Sequence, residues 1–554
     1  MKFRTHLFLL LAVLFLFLIS CGDDDDMTLP VQQENPMDVP IGDINDPDEI
    51  PLVGDPSEII GKIQDRFRSA FSSSNRRLMA FVRQNNLFGD YNSSASPSDL
   101  LWVQSYILLE ETILLGLLNE QEGTNISYHL GVAQVLQSYA FLNLVDLFGD
   151  VPYTDVFNVG ANGSPAIDSA SSVYDAHLSL LETAIQNLSA EVSDIPIDKY
   201  YGDFDRNKWI ALANTIKLRA YTNLRLVNSN VAREQINSLL NTNIIDSPEE
   251  DFVFDYSLNP EIFVNHPLFP NGPNADSYMS NNLFDYMNVG DATPPFIETG
   301  VIDPRARYYF YRQRDSAPNG SNLPCSGNPE YEYCYVGNLY WGRDHGDDEG
   351  IPNDGSRRTF YGVYPVGGEF DNDAFLRLRD NSNDLDGKGI TPFLLSSYTN
   401  FLLAENALTL GTNGSDIAYL ESGIRQSMQK VRESAENLIT FDANTSSIDL
   451  AMSNVQIEDY VTRVLNEYNA STADVKLGII EREYYIAAFG NGFETYNAYR
   501  RTGKPELQAP FIPSQDFPRS FYYPLQAVLY NLNIEQHPLT QQVFWDTNPA
   551  GFID

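Results

Sequence analysis

The chain has 554 residues and carries 75 aspartates and glutamates against 35 lysines and arginines, a formal charge of −40. So acidic a composition excludes a nucleic-acid partner, because phosphate binding needs a basic surface; it suits a protein exposed to the medium without identifying a ligand. The length allows one large domain or two to three smaller ones, and 32 tyrosines with 32 phenylalanines supply either an ordinary aromatic core or, where tyrosine sits in loops, a contact surface.

At the N-terminus, Lys2 and Arg4 precede an unbroken apolar run from Leu7 to Ile19, and Leu18-Ile19-Ser20-Cys21 sets a small residue before a cysteine. A basic region, a short apolar region and a small-residue cleavage site make a secretory signal over residues 1–20. As a helix the apolar run rises only about 20 Å, short of the roughly 30 Å hydrocarbon core of a bilayer. Leu-Ile-Ser-Cys resembles a bacterial lipobox, which implies cleavage before Cys21 and lipidation of its thiol. No later segment is expected to be apolar enough to span a bilayer, so the lipid would be the only membrane attachment. Asp23 to Asp26 resemble the acidic export tag that sends Bacteroidetes lipoproteins to the outer face of the outer membrane; the alternative is a solvated charge run. Pro30, Pro36, Pro40, Pro47, Pro51 and Pro56 then fall among many carboxylates, a composition that buries too little apolar surface to offset its ordering entropy. Residues 21–56 read as a tether with a reach of roughly 90 Å.

The body, residues 57–554, is expected to be mainly α: a helical scaffold over 57–245 and 392–500, with a long irregular loop-rich region over 246–391 carrying a few short strands. Helices are predicted at Asp99–Leu118 and at Ser127–Phe148, where Val132, Val135, Leu136, Tyr139, Leu142 and Val145 repeat at helical spacing. The second stops at Gly149, a C-cap, before Pro152. Further helices are predicted at Ser172–Ala190 and Asn207–Val227. Between Asp246 and Thr391 the chain is rich in Gly, Pro, Asn, Asp and Tyr with no long helical period, and a loop of that length is usually functional. Short strands are expected at Arg307–Tyr311 and Thr359–Tyr364. Helices return at Phe393–Leu410 and Asp416–Glu436, a hairpin of tetratricopeptide-like size, then at Gln456–Tyr468 and Thr472–Phe489. Beyond Thr502 the chain is Pro-rich and irregular, with aromatics that suggest packing on the body.

Three stretches carry a likeness to a known family: Ala140 through Asp146-Leu147-Phe148-Gly149-Asp150-Val151-Pro152-Tyr153, Ala213 through Arg219, and Glu481-Arg482-Glu483-Tyr484-Tyr485 continuing through Phe489-Gly490-Asn491-Gly492-Phe493-Glu494 to Gly503. In these, with the lipobox, the chain resembles the SusD/RagB-type nutrient-binding lipoproteins over nearly its whole body. The resemblance implies tetratricopeptide-like helical hairpins as a scaffold, irregular loops forming a ligand face, and a SusC-type TonB-dependent transporter as partner, over which the lipoprotein acts as a hinged lid. Read physically, the three stretches are scaffold. Arg219 and Arg482 lie among apolar helical residues, and a buried arginine needs carboxylate partners.

Candidate ligand contacts lie in the loop-rich region: Tyr340, Trp341, Arg343 and Asp344, then Tyr361 and Tyr364. Sugar C–H faces stack on aromatic rings and hydroxyls suit Asp and Arg, so the set fits a glycan; a peptide would be served by the same surface. The competing reading packs Trp341 under its own loop. If Trp341 faces a ligand, its truncation should leave stability unchanged and cost affinity. Cys325 and Cys334 are expected to pair as a disulfide in an oxidising compartment, the alternative being two separate buried thiols. No cofactor is expected, and no metal site, since the six histidines are scattered and none forms a ligand pair at short spacing. Asp380 to Gly387 hints at a calcium loop, but Ser382 would fill the first ligand position and Phe393 the last, so a solvated turn is the better reading. No nucleophile elbow, phosphate loop or metal-binding pair suggests catalysis. A surface hydrolase and a structural or adhesion lipoprotein are the competing classes.

Anchoring through Cys21 is directly testable. Cys21→Ser should release the protein or leave it unprocessed with its fold intact, and protease applied to intact cells should shave the wild type. Protection until the outer membrane is opened would refute display on the exterior.

Overall fold

The computed structural model describes residues 54–91, 99–121, 123–157, 164–259, 265–269, 278–289, 301–316, 337–347, 358–375, 387–436, 450–510 and 516–553. Cys21, Cys325 and Cys334, the signal, nearly all of the tether and residues 380–386 lie outside them.

The body is mainly helical. The elements are α1 (Pro56–Phe81), α2 (Asp99–Asn119), α3 (Ser127–Phe148), α4 (Ala170–Leu188), α5 (Arg206–Leu224), α6 (Ser229–Leu239), β1 (Phe252–Asp255), α7 (Asn281–Tyr286), α8 (Ala306–Tyr309), β2 (Phe310–Tyr311), β3 (Phe360–Tyr361), β4 (Ile390–Leu394), α9 (Ser396–Leu410), α10 (Asp416–Glu436), α11 (Asn454–Asn469), α12 (Ala473–Ala487), α13 (Gly492–Thr502) and α14 (Leu525–Tyr530). Helices α3 and α4, α5 and α6, and α9 and α10 pack as successive hairpins, the tetratricopeptide-like scaffold that the family resemblance implies. Helix α3 spans the expected residues, and Gly149 at φ 77° closes it, its N–H donating to Val145 O at 2.9 Å.

Several boundaries differ for local reasons. Residues 390–394 form a strand rather than the first turn of α9, because Phe252 to Asp255 supply an antiparallel partner. Helix α9 then starts where the buried Asp251 carboxylate accepts from Ser396 N at 2.6 Å. The expected strand 307–311 shrinks to Phe310–Tyr311, paired with Phe360–Tyr361, since residues 306–309 wind into a helical turn behind buried Arg305. Helix α1 was not foreseen at all. Asp55 caps it, accepting from Ser57 N at 2.9 Å, and Pro56 opens it.

Helix α2 corrects a second expectation. By length and composition it is apolar enough to cross a membrane. In the body it lies between α1 and α3, burying Leu101, Leu108, Leu109, Leu115 and Leu118, while Glu111 pairs with Arg66 of α1 at 2.8 Å. Its outer face leaves Leu100 and Val103 exposed. One side is core, and the other carries apolar residues at the surface.

Two buried ion networks join the early helices to the C-terminal third, and a third ties residues 303–305 to α12. Asp146 of α3 accepts from Tyr174 Oη at 2.5 Å, Asn497 Nδ2 at 2.8 Å and Trp545 Nε1 at 2.8 Å, and pairs with Arg219 at 3.3 Å. Arg219 also meets Glu494 at 2.5 Å. Glu405 of α9 takes both Arg225, at 2.7 Å, and Arg501, at 2.6 Å. Arg305 is shared by Asp303 and Glu483, and Arg482 forks onto both oxygens of Glu467 at 2.9 Å. Both arginines singled out in the sequence have the carboxylates their burial demands.

Removing one member of a buried pair leaves the other charge uncompensated, at a cost of about 3–5 kcal/mol. Asp146→Ala should lower unfolding stability in urea by that amount, whereas Glu458→Ala, which breaks an exposed pair with Arg425, should leave the midpoint where it is.

Candidate functional site

The six residues expected to face a ligand are all buried. Trp341 is only 8% exposed, and its backbone pairs with Thr359, donating to Thr359 Oγ1 at 2.9 Å and accepting from Thr359 N at 3.0 Å. Tyr361 donates to Asn85 Oδ1 at 2.6 Å, and Tyr364 stacks on Tyr309 with centroids 5.5 Å apart. Asp344 accepts from Asn281 Nδ2 at 2.8 Å, and Arg343 pairs with Asp347 at 2.9 Å. The expectation of an open ligand surface at these positions is therefore corrected. Packing from distant segments covers them, which for Trp341 bears out the competing reading, and Arg343 joins an alternating stack that the sequence does not display. The Arg343 guanidinium lies 5.0 Å from the ring centroids of both Phe88 and Tyr278, and Arg358 lies 4.9 Å from Tyr278 and 5.3 Å from Phe360. Arginine over an aromatic face is worth up to about 2 kcal/mol when desolvated. The ladder thus ties residues 88, 278, 343, 358 and 360 into one packed layer.

At the surface of the same region, two turns converge on Arg312. Its guanidinium forks onto Asp371 at 2.6 and 3.2 Å, pairs with Asp373, and donates to Asn338 O at 3.3 Å. It also lies 5.2 Å from the ring centroid of Tyr340 and 5.4 Å from that of Phe375. Arg307 meets the second carboxylate bidentately, at 3.0 and 3.2 Å from Asp373. Asn338, Leu339, Asp373 and Phe375 all take positive φ, between 51° and 69°. Bulky side chains rarely adopt that conformation, and such outliers cluster at ligand clamps. Of the expected residues only Tyr340 belongs to this platform.

The arginines set the charge of the platform. Burial acts to raise the Asp373 carboxyl, but Arg307 and Arg312 hold it below its ordinary value, so it stays ionised and is a poor proton donor. Burial, and then Asp371, push the Tyr340 phenol up, which keeps it neutral. Asp373 is 39% exposed at its side chain, leaving acceptor positions for hydroxyl groups beside the partly exposed Phe375 ring. Among the described residues no group of three His, Cys, Asp or Glu side chains could hold a metal ion.

Arg307, Arg312, Asp371, Asp373 and Phe375 were missed as site residues. Their one sequence signal is the alternation Phe370-Asp371-Asn372-Asp373-Ala374-Phe375 in a loop, which says nothing of the arginines about sixty residues away.

The model of a family described as starch-binding and associating with the outer membrane matches residues 56–322. That of a family described as SusD and RagB outer membrane lipoprotein matches residues 357–516. No curated protein matches the chain. Among solved structures, a chitin-binding protein is 19% identical with a TM-score of 0.65, covering 89% of this chain and all of its own. A chitin-binding SusD homologue from Flavobacterium johnsoniae is 16% identical with a TM-score of 0.62 and the same coverage. A SusD homologue from Bacteroides uniformis is 17% identical with a TM-score of 0.59, covering 88% of this chain and 99% of its own. At these identities the likeness establishes the fold.

The burial of Trp341 sets a test opposite to the one expected of a surface ring. Trp341→Ala should destabilise the protein by about 3 kcal/mol or more, read as a lowered melting temperature, while Phe375→Ala should melt like the wild type.

Proposed function

The chain belongs to the SusD/RagB family of outer-membrane lipoproteins, and on that premise we propose that it binds a glycan at the cell exterior and passes it to a SusC-type TonB-dependent transporter. The family is one of binding proteins rather than enzymes. The observation that carries the glycan reading is the Arg312 platform: two bidentate arginine–aspartate pairs hold an ionised, part-exposed carboxylate beside an aromatic ring. Sugars require that combination, with a ring for the C–H face and fixed charged acceptors for hydroxyls. Because the polar groups are already paired and the turns already bent, little ordering remains to be done when ligand arrives, which favours affinity. The names of the two chitin-binding structural relatives support β-linked N-acetylated oligosaccharides as the first ligands to try. Trp341, Arg343, Asp344, Tyr361 and Tyr364 have a supporting role in this reading, as the layer that fixes the platform from below. Lipidation at Cys21 supplies the attachment, and the disulfide between Cys325 and Cys334 would brace the loop region that they occupy.

Two experiments test the reading. In calorimetry, chito-oligosaccharides should bind the wild type, and Phe375→Ala or Asp373→Asn should weaken binding by some thirtyfold, about 2 kcal/mol at a central contact, with melting unchanged. Binding of oligopeptides instead, with the same variants affected, would assign the platform to peptide. Purification from detergent-solubilised outer membranes should bring down a TonB-dependent transporter, and recovery of the lipoprotein alone would count against the partnership.

A further inference from the structure

Away from the loop-rich face, an open groove of about 630 Å³ lies between residues 192–195 and the start of α5. Its floor is made by a short segment, Asp198-Lys199-Tyr200-Tyr201-Gly202-Asp203-Phe204-Asp205, which is fixed from several sides. The Asp198 carboxylate accepts from Tyr200 N at 3.0 Å, Tyr201 N at 2.9 Å and Trp209 Nε1 at 2.7 Å. Gln64 of α1 grips the start of the segment, donating to Ile197 O at 2.8 Å and accepting from Lys199 N at 2.7 Å. Gly202, at φ 77°, reverses the chain there.

This anchoring leaves two partly exposed rings in place. Phe204 rests against Tyr128 with centroids 5.1 Å apart, and Tyr201 meets Trp209 edge-on at 5.6 Å. The Lys208 ammonium lies 5.3 Å from the Tyr201 centroid. On the opposite wall Ile195 is 61% exposed. Arg206 is engaged, donating to Tyr128 Oη at 3.2 Å, and Asp205 is spent on capping α5; Asp203 and Asn207 face solvent. Two carboxylates, Asp203 and Asp205, face two cations, Arg206 and Lys208, and the exposed Glu191 also pairs with Arg206 at 3.5 Å. The lining therefore carries no excess of positive charge that would call for an anionic ligand. The volume falls within the roughly 300–1,000 Å³ of small-molecule sites, and pre-set rings lower the ordering cost of binding.

We propose that this groove is a second carbohydrate subsite, taking a short stretch of neutral oligosaccharide with one pyranose face against Phe204 and its hydroxyls toward Asp203, Asn207 and Lys208. It shares no residue with the Arg312 platform, and it rests on the glycan reading only for the class of ligand. A polymer whose chain reaches both contacts gains apparent affinity over short fragments.

The test is calorimetry with chitohexaose, cellohexaose and maltohexaose on the full-length protein and on Phe204→Ala, Asp203→Asn and Phe375→Ala, each first shown to melt like the wild type. The expected result is two equivalents of one hexasaccharide bound by the wild type. Phe204→Ala should then abolish one, Asp203→Asn should weaken the same one at least tenfold, and Phe375→Ala should remove only the other. Unchanged stoichiometry and affinity in Phe204→Ala and Asp203→Asn, with loss in Phe375→Ala, would overturn the groove and leave the platform standing. Loss in Phe204→Ala with Phe375→Ala unaffected would support the groove and overturn the platform. No binding of any of the three sugars to the wild type would overturn both.

Discussion

The carboxylate of Asp146 sits at the last turn of α3 with no exposure to solvent, and four segments distant in sequence are held by it. Tyr174 comes from α4, Arg219 from α5, Asn497 from α13 and Trp545 from the C-terminal tail. An ionised group in an apolar interior is costly unless its charge and lone pairs are fully met, so the packing must deliver all of these donors together. Its backbone carbonyl extends the same junction, accepting from Arg500 Nη2 at 2.7 Å. This is why a chain whose tail is irregular beyond Thr502 nonetheless closes on its first hairpin: Trp545 is fully buried, and the tail has one place where its indole N–H is satisfied.

The same logic recurs where the second half of the scaffold meets the first. Glu405 is held ionised by Arg501 and Arg225 against the opposing effect of burial, while the neighbouring Glu481 carboxyl is pushed well up by burial and by Glu405. In a protein with 75 carboxylates, such a coupled acidic pair could be mistaken for catalytic machinery. Both side chains are buried on scaffold helices and Glu405 is tied to arginines, so the pair reads as structural. The family's character as a binding protein agrees with this use of charge: the most perturbed carboxylates serve packing, and the exposed Asp373 and Asp203 are left toward solvent.

With the scaffold closed, the loop-rich region can be shaped without a helical core of its own. The arginine–aromatic ladder from Phe88 to Phe360 supplies a packed layer that needs no regular period, and the paired turns above it are bent into positive φ around Arg312. The platform is therefore stiff although it is built almost wholly from loops. Stiffness is what a weak, hydroxyl-rich ligand needs, since each of its contacts contributes little and none can be spent on ordering the site.

The sequence by itself determined the helical scaffold, because the apolar period of α10, the long apolar stretches of α3 and α5 and the stop at Gly149 are local properties, although α3 proves buried on every side rather than on one face. It also determined that Arg219 and Arg482 must find carboxylates, because desolvation makes that demand of any buried arginine. Helix α1 was equally legible, from Asp55-Pro56 and the spacing of Ile59, Ile60, Ile63, Phe67 and Phe71, but the proline-rich run that ends at Pro56 hid its start. Only the tertiary structure decided which side of each loop is wet. Trp341 and Arg343 are set among glycines and acids, a setting that left Trp341 open between a ligand face and packing under its own loop. Arg343 is buried between Tyr278 and Phe88, which arrive from elsewhere in the chain, and the Trp341 backbone pairs with Thr359. Arg312 and Asp373, 61 residues apart, meet only when the chain around the β2–β3 pairing brings their turns together. Local composition sets a side chain's preferences, whereas exposure depends on what packs over it, and in a loop-rich region no periodicity announces the partner.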